Sequence, residues 1–88
     1  MSKSIRIDKN AIETAYSFFH QKERVYAPSN MEWQKDDIEY AISSYVQDMD
    51  KTLYGLLSDG HDDFLVNHRR FHDDILSAIE VMENLLNQ

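Results

Sequence analysis

The segment His61-Asp62-Asp63, followed by His68-Arg69-Arg70-Phe71-His72-Asp73-Asp74, gathers three of the four histidines and four aspartates of an 88-residue chain. Imidazole and carboxylate are the donor groups that hold a transition metal when cysteine is absent, and this chain has no cysteine. On a helix, His68 and His72 stand four positions apart and set their rings on one face, at a separation that suits one ion. His61 lies about 10 Å from His68 by helical rise alone and cannot join them from the same helix. The third ligand must come from another element, and Asp48 is the carboxylate that a helical hairpin would bring to their level. The expected metal set is therefore His68, His72 and Asp48, holding a transition metal.

A plainer account covers the same residues. His68 falls within an apolar seam, where a half-buried imidazole beside a carboxylate is an ordinary packing arrangement. Arg69 and Arg70 add positive charge beside the pair, which opposes cation binding. The Glu-x-x-His pattern of di-iron bundles does not occur on any expected helix.

Carboxylates and aromatic rings form the second group. Sixteen acidic residues against nine basic ones give a formal charge of -7. Such a field repels the phosphate backbone, so direct binding of DNA or RNA is not expected, and a basic or nucleic-acid-binding protein is the favoured partner. Rows of acids on rigid helices can occupy the groove of such a protein by imitating phosphate spacing. Trp33 and Tyr40 fall off the main apolar seam and join a large apolar face to a polar tip, the combination common at interface hot spots. The residues expected to meet a protein partner are Trp33, Asp36, Asp37, Tyr40, Asp62, Asp63, Asp73 and Asp74. Lys35, Lys51, Arg69 and Arg70 interrupt the acidic rows, as they would on an ordinary solvated helix face.

Other chemistries are disfavoured by composition. Two isolated glycines cannot build a phosphate loop, a dinucleotide fingerprint or a nucleophile elbow. Ser, His and Asp all occur, but their co-occurrence says nothing about a triad, which is defined by geometry. No run approaches the roughly 20 apolar residues of a spanning helix, and Met1–Arg6 leads into Asp8 rather than an apolar signal core. A cytoplasmic protein is expected.

The elements that must carry these groups follow from apolar spacing. With 42% hydrophobic residues, one proline and two glycines, the chain suits a single domain over 1–88. Three- and four-residue spacings predict an all-α fold, a three-helix bundle with helices near 9–26, 30–58 and 62–87. Asp8 is the expected cap of the first helix, with Ile7 and Ile12 stapling its first turn, and Ile12, Ala15, Tyr16, Phe19 and Tyr26 as its stripe. Pro28 ends it. Ser29 and Glu32 suggest a capping box for the second helix, which Gly60 would close in a left-handed conformation. Gly55 within that helix suggests a close neighbour. The third helix carries two overlapping seams, one through Phe64, His68, Phe71, Ile75, Ala78, Met82 and Leu85. The two long helices are expected to form an antiparallel hairpin with the first helix in its groove. A homodimer is expected to cover the distal halves, where Trp33, Tyr40, Val81, Leu85 and Leu86 would meet.

The functional expectation is a non-enzymatic protein-interaction module, a small acidic helical regulator or inhibitor without a cofactor. The competing expectation is a metal-binding helical protein built on His68 and His72.

Overall fold

A computed structural model describes residues 7–87, and over them the chain is all-helical, with four α-helices and one short 3-10 turn. Met1–Arg6, the stretch read above for a signal core, lies outside the described residues. The helices are α1 (Lys9–Tyr26), α2 (Glu32–Gln47), α3 (Lys51–Ser58) and α4 (Phe71–Leu86), with the 3-10 turn His68–Arg70 leading into α4.

Helix α1 starts where its sequence provides a cap. The Asp8 carboxylate accepts from the Asn10 N–H at 3.0 Å, satisfying a donor that has no partner within the helix. Ile7 packs against the core and Ile12 is buried, so the first turn is pinned on its apolar side. Its buried face is Ile12, Ala15, Phe19 and Tyr26, the expected stripe, with Tyr16 half-buried beside it. The chain turns at Ala27-Pro28. Ser29 does not form the capping box. Its hydroxyl donates to the Gln34 side chain at 2.8 Å, and Met31 takes the cap position with no side-chain bond.

The expected second helix is two helices. α2 ends at Gln47, and Asp50 caps α3 by accepting from the Leu53 N–H at 3.0 Å. Apolar periodicity cannot register the break, because Ile42 before it, Met49 within it, and Leu53 and Leu57 after it are all buried in the same core. α3 closes on Asp59 (φ 51) and Gly60 (φ 80), so Gly60 is left-handed as expected, one residue after another left-handed position. Gly55, however, has open space where a Cβ would stand, so no close neighbour accounts for it.

The third expected helix also begins later than its periodicity suggests. Residues 61–67 form turns, Leu65 adopts φ 58, and the Asn67 side chain accepts from the Arg69 N–H at 3.0 Å to start the 3-10 turn. Phe64 and Leu65 still reach the core from this irregular segment, which is why they read as the first turn of a seam.

Contacts between side chains fix the topology. Phe18 stacks on Tyr45 and the Tyr26 hydroxyl donates to Glu39, so α1 and α2 run antiparallel. Tyr16 reaches Glu83 and Glu23 reaches His72, so α1 and α4 also run antiparallel. Helices α2 and α4 are therefore parallel to one another, with α1 between them, and the expected antiparallel hairpin of two long helices is not formed. α3 and the 59–67 segment carry the chain back along the length of α1 to the start of α4, and α3 packs on α4. Phe19, Ile42, Leu53, Leu57, Leu65, Phe71, Ile75 and Met82 are fully buried where these elements meet. Each such side chain is worth about 1.5–3 kcal/mol relative to exposure.

Candidate functional site: an acidic and aromatic face beside a histidine–carboxylate cluster

Helix α2 buries Ile38 and Ile42, and its opposite side is fixed by the same 3.6-residue period. Trp33, Asp36, Asp37 and Tyr40 stand at i, i+3, i+4 and i+7 on that outer side and all are exposed. Trp33 is 63% exposed and Tyr40 76%, large values for aromatic side chains. The Trp33 indole Nε1 donates to the Met31 sulfur at 3.1 Å, and Met31 is itself exposed, so the aromatic end of the face extends around the helix start. Four of the eight residues expected to meet a partner thus form one contiguous face.

The other four do not act together. Asp62 and Asp73 are exposed, and Asp63 is half-buried with its carboxylate 4.0 Å from Arg70. Asp74 is 6% exposed, and its Oδ2 accepts from the Leu65 N–H at 2.9 Å. That bond satisfies a buried donor on a leucine held at φ 58, a conformation a leucine avoids without support. Asp74 is a structural residue and is withdrawn from the partner surface.

The expected metal set is not assembled. His68 lies in the 3-10 turn, not in α4, and its Nδ1 is 2.6 Å from Glu39 Oε2, with Nε2 3.5 Å from Glu32 Oε1. His72, in the first turn of α4, faces α1 instead, with Nε2 2.9 Å from Glu23 Oε2. The four-residue spacing lost its meaning when the helix started at Phe71, and the two rings turn to different neighbours. Asp48 is farther still: it stands nine residues beyond Glu39, about 13 Å along the axis by helical rise. It lies on the rim of a groove of about 550 Å³ between the first turns of α1 and the α2–α3 junction. Asp8 and Asp50 on that rim are committed to capping α1 and α3.

What the fold brings together instead is His68 with Glu39 and Asp36, whose donor atoms lie within 4.8 Å of one another. Behind them the Tyr26 hydroxyl donates to Glu39 Oε2 at 2.6 Å, while the Tyr26 ring is buried and stacks on Phe71. Burial first, and then the bond to Glu39, push the Tyr26 hydroxyl well above its ordinary range. At neutral pH it is a fixed donor that orients the carboxylate. Glu32 and Glu39 are not among the expected site residues, because histidine spacing on a single helix does not point to carboxylates on another. The signal was available: Glu32, Asp36 and Glu39 recur at i, i+4 and i+7, a like-charged stripe that the helix would repel unless something answers it.

Among the described residues no helix is long and apolar enough to cross a membrane. No family model, curated protein or solved structure matches the chain.

Proposed function

We propose that this chain is a non-enzymatic protein-interaction module, a small acidic helical regulator or inhibitor whose outer α2 face binds a basic or nucleic-acid-binding protein. The observation that carries the reading is the placement of Trp33, Asp36, Asp37 and Tyr40 together on one exposed helical face. Two rigid aromatic anchors flank a pair of carboxylates. The rings offer apolar area at little cost in side-chain entropy, and the carboxylates steer a positively charged partner and set its register. The formal charge of -7 extends that steering beyond the contact itself.

A homodimer belongs to the same reading, with a changed geometry. Because α2 and α4 are parallel, Trp33 and Tyr40 lie at the opposite end of the protomer from Leu85 and Leu86, and Val81, Leu85 and Leu86 pack partly against their own core. No single patch contains both groups. A side-by-side antiparallel pairing of two copies would bring them into contact.

The test places a photo-crosslinking residue at position 33 or 40 and, as a control, at Val66, which is equally exposed on the irregular segment. The expected result is a discrete crosslinked product from 33 and 40 that weakens with added salt and is missing from 66. A product formed equally from all three positions, or none from 33 and 40, overturns the assignment. A product of twice the protomer mass identifies the partner as a second copy.

A further inference from the structure

We propose that Asp36, Glu39 and His68 form a binding site for a divalent first-row transition ion of the zinc type, on the end of the bundle where α2 and the 3-10 turn meet. The site is distinct from the His68–His72 pairing that sequence spacing suggests, and it does not depend on the interaction reading, since it is tested on the isolated protein.

Four observations carry it. The three donors come from two separate elements, yet their atoms converge within 4.8 Å of one another. One is an imidazole, which shifts the preference from magnesium and calcium toward zinc and its neighbours, while the two carboxylates supply charge that a dication would neutralise. Glu39 is held by a buried outer partner, the Tyr26 hydroxyl at 2.6 Å, the kind of support that orients a metal ligand. The surroundings add a further carboxylate and keep one of the nearby cations away. Glu32 Oε1 is 3.5 Å from the far side of the His68 ring, so three carboxylates on one stripe of α2 face one imidazole. The Arg70 guanidinium is directed to Asp63 and Asp74, at 4.0 and 3.9 Å, rather than to this cluster. The Lys35 ammonium lies over the Tyr26 ring at 5.8 Å from its centroid, and Arg69 is exposed on the 3-10 turn.

Three protein ligands leave open positions that water or a partner's side chain can fill. The His68–Glu39 contact at 2.6 Å is the bond the ion would replace, with both groups retained as ligands.

The experiment is calorimetric titration of untagged protein with zinc chloride, with magnesium chloride as the comparison, followed by cobalt substitution to read ligand geometry by visible absorption. The expected result is one zinc per chain, no magnesium binding at the same concentration, and a cobalt spectrum that reports nitrogen and oxygen ligands. His68→Ala and Asp36→Asn should each weaken zinc binding by more than 10-fold, and Tyr26→Phe, which keeps the ring, by about 10- to 100-fold. His72→Gln should leave binding unchanged, and circular dichroism checks that each variant is folded. The proposal is overturned if zinc does not bind at stoichiometric concentration, or if magnesium binds as well as zinc. It is equally overturned if His72→Gln weakens binding as much as His68→Ala, or if folded His68→Ala and Asp36→Asn proteins bind like the parent.

Discussion

Replacing Asp74 by alanine should destabilise this protein far more than the same change at its neighbour Asp73. Both carboxylates lie in the first turn of α4, where each gains about 0.3–1 kcal/mol from the positive end of the helix dipole. Asp73 is exposed and gains little else. Asp74 is buried and accepts the Leu65 N–H at 2.9 Å, and a hydrogen bond to a charged acceptor is worth about 1.5–3 kcal/mol. Leu65 is itself 1% exposed, so truncation leaves its N–H without water and its φ of 58 without support. The loss expected for Asp74→Ala is about 3 kcal/mol, against less than about 1 kcal/mol for Asp73→Ala. For a domain of this size that difference lowers Tm by roughly 10 °C or more. Asp74→Asn retains a side-chain carbonyl in the same place and should recover part of the loss. Urea unfolding followed by circular dichroism gives all three values under one condition. Equal destabilisation by Asp73→Ala and Asp74→Ala would refute the role assigned to the buried carboxylate, and with it the account of how the 61–67 segment is fixed.

Three further outcomes can be measured alongside. Gly55→Ala should raise stability by up to about 1 kcal/mol, because the position is helical and open space awaits the methyl group; a lower urea midpoint would show that something crowds it. Adding Tyr40→Ala to the protein that carries the crosslinking residue at 33, or Trp33→Ala to the one that carries it at 40, should shift thermal unfolding by less than about 0.5 kcal/mol while weakening the crosslinked product, since both rings are exposed. Burial pushes the Tyr45 hydroxyl above its ordinary value of 10.0, so the native state holds that proton after the unfolded chain has released it. Its share of stability is whole below pH 10 and declines as pH rises beyond, so urea midpoints measured from pH 9 to 11 should fall less steeply in Tyr45→Phe than in the parent.

The local elements were largely present in the chain's own pattern. Asp8 before an apolar stripe, Pro28 after Tyr26 and Gly60 after Ser58 are short-range signals whose physics is complete within a few residues, and each stands where it was expected. The buried stripe of α1 and the seam Phe71, Ile75, Ala78 and Met82 were equally legible, because burial imposes its period on the sequence directly. The exposed face of α2 followed from the same period, read on its opposite side.

Breaks and directions were not legible in this way. The 48–50 interruption and the irregular 61–67 segment leave apolar spacing intact, since both sides of each break feed one core. The capping aspartate at position 50 was a local sign of the first break, but only the folded chain shows it chosen over a continuous helix. The pairing of α1 with both α2 and α4 depends on contacts 13 to 67 residues apart, such as Tyr26 with Glu39 and Tyr16 with Glu83. It is this topology that sends His72 to Glu23, His68 to Glu39 and Asp48 to the far end. By itself, the sequence determined that the chain is helical, where α1 is capped, and which residues of α1 and α4 face inward. Tertiary structure alone decided which side chains meet, because the free energy of those meetings belongs to the whole packed core and not to any window of the chain.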